Sequence, residues 1–190
     1  KILKVKSITG SGATAVGQLE FADDATGGGG SGLFTSYARL SDVQAYNVHG
    51  GSSIAGTQIR NLNTEDFDPD NIVSLSNSVF TLATAGTYFI EFRVPACQVD
   101  LSVAYLEKST DDGVNFSAIS ESASSQFTQD SSLYTSVYCL GDTRVTITGS
   151  TQFRVQHYTQ RATSNYGLGV YTNVNGLNSI YTVVKIYKES

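Results

Sequence analysis

Residues 57–94 constrain the fold of this chain most strongly, because their side chains alternate between two faces in strand-like segments that are separated by turns. The segment reads as a strand, an acidic turn with Asn, Asp and Pro, a second strand, a Gly-containing turn and a third strand. The third strand would carry Tyr88, Ile90, Phe92 and Val94 on one face, and Phe89, Glu91 and Arg93 on the other. Because successive side chains of a strand point to opposite faces, such a period of two is typical of β-structure.

Short strand-like segments rich in Val, Ile, Thr, Tyr and Phe recur along the rest of the chain, with Gly, Asn and Asp between them. No segment has a sustained helical period. The predicted strands are residues 34–40, 57–62, 72–75, 79–82, 86–94, 101–108, 117–127, 133–140, 144–148, 151–158, 167–171 and 180–187. So many short strands predict an all-β fold of two packed antiparallel sheets.

A glycine-rich segment divides the chain. Residues 1–8 and 18–21 are strand-like, and Gly27–Gly30, Ser31 and Gly32 have the composition of a flexible linker. We therefore predict an N-terminal arm (1–26), a linker (27–32) and a head (33–190). The arm either attaches to another protein or is a disordered tail that pairs with its own head. The chain contains no Met, so we expect that Lys1 is not the translated N-terminus.

The composition excludes two classes of partner. The net charge of −5, without clustered Lys and Arg, argues against a nucleic-acid-binding protein. Apolar residues come in runs too short for a membrane helix, so we expect no membrane insertion. Charged residues make up only 15% of the chain, against about 25% in typical soluble domains. A neutral polar surface suits a protein that covers much of itself with its own copies or with a larger assembly.

The order of the predicted strands resembles the C1q/TNF-like jelly roll, of the type found in bacteriophage fibre, knob and capsid-decoration proteins. The resemblance rests on residues 37–40, 57–62, the hairpin at 79–90, the segment 151–157 after Gly141-Asp142, which we interpret as a turn, and the closing strand 179–186. Glycine has no three-residue period here, so there is no collagen stalk, and residues 162–178 are unusually rich in Gly, Asn and Tyr.

This resemblance implies a homotrimer whose inner strands bury aromatic and aliphatic side chains along a threefold axis. The candidates for that interface are Tyr88, Phe92, Phe153, Val155 and Tyr158. The alternative is that these side chains fill the core of a single subunit. A period of two cannot separate the two possibilities, since both faces of one strand can be buried.

Few residues suggest chemistry. Asp66, Asp68 and Asp70 alternate and could converge on a calcium ion, although an ordinary turn with each Asp capping nearby amides also explains them. We expect no other cofactor. His49 lies in a Gly-rich turn without the nucleophile motif of a hydrolase. His157 is either a hydrogen-bonded strand histidine or a residue that meets its symmetry mates in a trimer.

The two cysteines, Cys97 and Cys139, both lie in strand-like surroundings. They are either two buried, reduced thiols or a disulfide between neighbouring strands.

A loop rich in Tyr and Asn is the candidate partner surface. Rigid aromatic side chains among Asn and Gly are common in recognition loops, and here they are Tyr166, Tyr171, Asn173 and Asn175. The alternative is a long hairpin that packs on a neighbouring subunit.

The resemblance therefore leads us to expect a non-enzymatic structural protein at the virion surface of a phage. Its head would be a capsid decoration protein or a head fibre or knob, with the arm bound to a capsid or tail protein and the head available to a host surface glycan or protein. A receptor-binding tail-fibre tip is the alternative. A carbohydrate-active enzyme is disfavoured, because the chain has no Trp and no catalytic constellation.

Overall fold

The chain folds into two compact units. The computed structural model describes residues 2–9, 16–22, 32–127 and 135–190, the first two ranges by their backbone alone. One unit comprises residues 1–33 with Ser190, and the other Phe34–Glu189. In the first unit, β1 (Ile2–Thr9) and β2 (Val16–Ala22) pair as antiparallel strands. Apart from Gly32, the predicted linker lies outside the described residues. The described part of the chain has no helix long and apolar enough to cross a membrane.

The second unit is a sandwich of two antiparallel sheets. The front sheet has the strand order β11-β8-β13-β3-β5, and the back sheet has the order β10-β9-β12-β7-β6, with β4 also paired to β12. The strands are β3 (Phe34–Gln44), β4 (Gly56–Ile59), β5 (Thr64–Phe67), β6 (Ser74–Ser76), β7 (Val79–Leu82), β8 (Gly86–Cys97), β9 (Leu101–Ser109), β10 (Ser117–Phe127), β11 (Ser136–Ile147), β12 (Thr151–Thr159) and β13 (Ser179–Glu189).

The core lies between the two sheets. Tyr88 and Phe92 on β8, and Phe153 and Val155 on β12, are at most 4% exposed within the single chain and belong to one hydrophobic cluster. Assigning these four side chains to an interface between subunits is therefore wrong, because side chains already buried inside one chain have no surface to offer another. Of the two possibilities that the sequence left open, the structure has the core of a single subunit.

Three predictions of strands and turns are corrected. Gly141-Asp142 is not a turn: β11 runs through it, paired residue by residue with β8 from Ser136 opposite Cys97 to Ile147 opposite Gly86. Glycine is needed at 141 for close packing instead, because a Cβ there would lie 2.2 Å from Cζ of Phe92. Residues 167–171 form a loop rather than a strand, whereas the acidic segment predicted as a turn contains the short strand β5.

Candidate binding surfaces

The outer side of the front sheet carries a cluster of five aromatic rings, which we call the aromatic face. Its members are Phe34 and Tyr37 on β3, Phe67 on β5, Phe89 on β8 and Tyr187 on β13. The ring centroids of Tyr187 lie 5.0 Å from those of Phe34 and Tyr37, and Tyr37 lies 5.8 Å from Phe67. The ring of Phe89 is 6.3 Å from Tyr187 and 6.4 Å from Phe34.

Strand register produces the aromatic face. Tyr187 pairs with Phe89 on one side and with Tyr37 on the other, so the three side chains project from the same face. Phe89 alternates with the core residues Tyr88 and Ile90, which places it on the opposite side of β8. Phe67 is 52% exposed and the other four rings are half-buried. A contiguous exposed aromatic surface of this kind is typical of a contact with another molecule.

The hydroxyl of Tyr187 stays neutral at ordinary pH. Burial raises the pKa of Tyr187 to about 12, and the charge of Glu91 and a hydrogen bond to its carboxylate contribute to the shift. The ring therefore presents a neutral aromatic surface with one hydrogen-bonding group, which is favourable for burial against a partner.

A band of charged side chains borders the aromatic face. Arg39 pairs with Asp66 at 3.1 Å, and Lys185 pairs with Glu91 at 3.6 Å. Beyond them, Arg93, Leu140 and Asp142 help to line an open cavity of about 380 Å³ on the same side of the sheet. Leu140 is 65% exposed. The outer side of the front sheet thus combines apolar rings with neutralised ion pairs, and neither strongly opposes contact with a similar surface.

The loop of residues 160–178, which we call the tip loop, is braced along its first part. The guanidinium of Arg161 donates twice to the carbonyl oxygen of Gln98, at 3.0 and 2.7 Å, and the hydroxyl of Thr163 donates to the same oxygen at 2.6 Å. The amide of Cys97 donates to Gly167, and the amide of Gly50 donates to Gly169. These bonds tie residues 167–169 to two different segments of the chain instead of to one neighbouring strand.

The predicted partner residues fall into two groups on the tip loop. Tyr166 and Tyr171 are half-buried around His49, whose ring lies 5.7 and 4.4 Å from theirs. The amide of Tyr171 donates to Nδ1 of His49 at 3.2 Å. Sequence reasoning treated His49 as a plain turn residue. The contact between His49 and Tyr171 could not be predicted from the sequence, because the two residues are far apart in the chain.

Asn173 and Asn175 lie on the exposed part of the tip loop. The hydroxyl of Tyr46 donates to Oδ1 of Asn173 at 2.6 Å, so this loop is tied to the turn after β3. On the same part of the loop, Val174 is 55% exposed and Leu177 is 58% exposed. Residues 162–180 contain no charged side chain. The surface is therefore neutral, with apolar and amide groups interspersed.

The three aspartates do not form the predicted calcium site. The carboxylate of Asp68 accepts hydrogen bonds from the amides of Ile72 and Val73 at 3.0 and 2.9 Å, and Asp66 pairs with Arg39. Among the described residues, no group of three or more His, Cys, Asp or Glu side chains could hold a metal ion. The calcium prediction is corrected, and the capping alternative describes Asp68.

Tyr158 and His157, which the sequence analysis considered for contacts between subunits, both lie on the back sheet. Tyr158 is half-buried on β12, but β12 belongs to the back sheet, so Tyr158 does not contribute to the aromatic face. His157 is fully buried, with Nε2 2.8 Å from the hydroxyl of Ser102. Burial, followed by the charge of Arg60, lowers the pKa of His157 to about 3. A neutral histidine that is fully buried within one chain cannot contact His157 of the other subunits in a trimer. Both cysteines are buried and free.

Comparison with solved structures identifies the fold. Murine APRIL superposes with a TM-score of 0.53 at 9% identity, covering 80% of this chain and 98% of that one. The Eiger TNF of S. frugiperda gives 0.52 at 10% identity, covering 83% and 94%. The head has the C1q/TNF-like jelly-roll fold.

The globular domain of zebrafish complement 1qA agrees, with a TM-score of 0.50 at 12% identity, covering 81% of this chain and 97% of that one. No family model matches the chain, and no curated protein matches it. At these identities the likeness concerns the fold alone. The C1q/TNF-like fold confirms the architecture expected from strand order.

Proposed function

We propose that this chain is a non-enzymatic, homotrimeric structural protein, in which copies of the C1q/TNF-like head associate through the outer side of the front sheet. The aromatic face carries the proposal. It places five contiguous rings on a sheet surface, where the core needs none of them, and one ring is 52% exposed. Burying aromatic surface is the main source of free energy in protein association.

The neighbouring ion pairs favour self-association over a highly charged partner. Arg39 and Lys185 are each matched by a carboxylate of the same chain. A second copy can therefore approach without meeting a large field of one sign. The family resemblance implies three copies. In a closed ring of three identical contacts, the aromatic face of every copy is buried.

We propose further that the trimer is a capsid decoration protein or a head fibre or knob at the surface of a phage virion. The β1–β2 segment would bind a capsid or tail protein, and residues 27–32 have the composition of a linker between that segment and the head. The low proportion of charged residues, 15%, supports a protein that functions within an assembly.

The tip loop supports a role in recognition, including the alternative of a receptor-binding tail-fibre tip. Its base is held by many hydrogen bonds, while Asn173, Val174, Asn175 and Leu177 are exposed. A braced loop loses little conformational entropy on binding. Because residues 162–180 carry no charge, an uncharged glycan or a neutral protein surface of the host fits this loop.

The mass of the 190-residue chain in solution, measured by light scattering, tests the proposal. We expect three times 20.3 kDa at micromolar concentration. A monomer throughout that range would overturn it. The same measurement on residues 33–190 separates two sources of assembly: a trimer there places assembly in the head, whereas a monomer would make the N-terminal segment the assembling element.

The copy number on purified particles then distinguishes decoration of the capsid from a tail fibre. We expect no hydrolysis of glycans by the protein.

A further inference from the structure

Three polar side chains lie on the same inner side of the back sheet, next to the hydrophobic core. His157 on β12 pairs directly with Gln58 on β4, so both side chains project from the same face. Arg60 follows Gln58 by two residues and its amide bonds to the carbonyl of Val155, which continues the pairing and keeps Arg60 on that face. Arg60 is 1% exposed and His157 is fully buried.

Each of these side chains has a buried nitrogen without a hydrogen-bond partner among the described residues: Nη1 of Arg60, Nε2 of Gln58 and Nδ1 of His157. The remaining nitrogens of Arg60 are satisfied by neutral groups. Nε donates to the hydroxyl of Thr182 at 2.9 Å, and Nη2 donates to the carbonyl of Leu168 at 2.8 Å. An unpaired buried polar atom is costly, and an unpaired buried charge more so.

All three unpartnered nitrogens are donors. The thiol of Cys139 donates to the carbonyl of Ser102 at 3.4 Å, and the hydroxyl of Ser102 lies closer to Nε2 of His157, at 2.8 Å, than to the sulfur, at 3.3 Å. The Ser102 hydroxyl is therefore assigned as donor to Nε2. Since a neutral imidazole carries one proton, that proton is on Nδ1. The amide nitrogen of Gln58 and the guanidinium nitrogen of Arg60 can only donate.

The nearest buried carboxylate does not neutralise Arg60 by direct contact. Asp42 uses Oδ1 to accept from Gln44 at 2.7 Å and from Asn61 at 2.7 Å. In the described part of the chain, no ion pair of 4.0 Å or less joins Arg60 to a carboxylate. The head thus buries a guanidinium charge whose contacts are all neutral.

We propose that Arg60, Gln58 and His157 form a buried binding site for a small halide ion, with chloride as its ordinary occupant. A halide accepts hydrogen bonds without donating any, so it matches three unpartnered donors on one face of the sheet, and it also neutralises the guanidinium. A water molecule would bring two hydrogens of its own and no charge. Because Arg60 also holds the carbonyl of Leu168, the bound ion would keep the base of the tip loop in place.

Thermal unfolding of the 190-residue chain at constant ionic strength tests this site. Sodium gluconate would be replaced stepwise by sodium chloride or bromide. A ligand that binds only the folded state raises Tm by mass action, so Tm should rise with halide. Arg60→Met removes the charge at similar length, and its Tm should not depend on the halide. If that variant does not fold, Gln58→Leu is used, and its halide response should be weaker.

Crystals grown in bromide give the second readout. We expect an anomalous peak within hydrogen-bond distance of Nη1 of Arg60. Equal Tm in gluconate and chloride, or an ordered water without an anomalous peak at that position, would overturn the proposal. Neither result depends on the oligomeric state, so the halide site and the proposed trimer are tested separately.

Discussion

Tyr187 on β13 and Tyr37 on β3 are directly paired across the front sheet, with ring centroids 5.0 Å apart on the side that faces away from the core. Each ring also contacts a further aromatic ring, Phe34 for Tyr187 and Phe67 for Tyr37. The aromatic face is therefore continuous across β3, β5, β8 and β13 rather than a set of isolated side chains.

Tyr187→Asp should dissociate the proposed trimer. The substitution places a charge in the middle of the aromatic face, and loss of a central aromatic contact typically weakens association by about 2 kcal/mol or more. Light scattering should give the monomer mass, with an unchanged circular dichroism spectrum. Val114→Asp is the matched control, because Val114 is 77% exposed on the β9–β10 turn, and its mass should equal that of the parent. A Tyr187→Asp protein that stays trimeric would remove the aromatic face from the interface.

Phe153→Ala should destabilise the fold of each chain. The ring of Phe153 is fully buried and stacks on Phe80 with centroids 5.4 Å apart. Removing a buried phenylalanine side chain costs about 3–5 kcal/mol, because it leaves a cavity. Urea unfolding measures the loss. Phe127→Ala, at a site that is 59% exposed, should change the free energy of unfolding by less than about 0.5 kcal/mol. Similar effects for both variants would contradict the placement of Phe153 in the core.

Gly141→Ala should be poorly tolerated although alanine is the smallest possible addition. A Cβ at this position would lie 2.2 Å from Cζ of Phe92 and 2.5 Å from the backbone oxygen of Ser122. Overpacking of this kind typically costs about 1–3 kcal/mol. Gly149→Ala is the control, because a Cβ there meets nothing within 4 Å. Thermal melts of the two variants should differ clearly, and equal melts would show that the Phe92 ring and the β10 backbone shift easily away from β11 at this point.

Asp111 should stabilise the β9–β10 turn at neutral pH and lose this effect in acid. The hydroxyl of Ser109, at 2.6 Å, and then Asn115, at 2.9 and 2.7 Å, donate to its carboxylate and lower the pKa of Asp111 from 3.8 to about 2. The folded state therefore favours the ionised form more than the unfolded state does. That stabilisation is complete above about pH 4 and disappears as the pH falls through about 2.

Melting curves of the Asp111→Ala variant between pH 7 and pH 2 measure this contribution. Its Tm should lie below that of the parent at pH 6, and the difference should shrink toward pH 2. Asp70→Ala is the matched control, because Asp70 is an exposed turn residue. A difference for Asp111→Ala that stays constant with pH would show that its hydrogen bonds do not depend on the charge.

Much of the fold could be predicted from local pattern. The strand predicted at residues 117–127 coincides with β10, and that at 79–82 coincides with β7. The sequence predictions were wrong where one residue type occurs both in turns and in strands. Gly141 was interpreted as a turn former, but its lack of a side chain serves close packing within β11. The acidic residues at 65–66 were interpreted as part of a turn, but they extend along β5, where Asp66 is matched by Arg39.

The candidate surfaces were less predictable, because each depends on residues distant in sequence. The aromatic face joins Phe34 and Tyr187, and the halide site joins Gln58 and His157. No local pattern in the sequence indicates either pair.

Alternation by itself determined that this chain forms strands with two unlike faces, since the period of two is a property of the extended backbone. It also determined that Tyr88, Ile90, Phe92 and Val94 share one side of β8, opposite Phe89. Only the tertiary structure decided which side is covered by the back sheet and which carries the aromatic face. The physical reason is that burial depends on the sheet that packs against a strand, and strand register brings that sheet together from residues far apart in the chain.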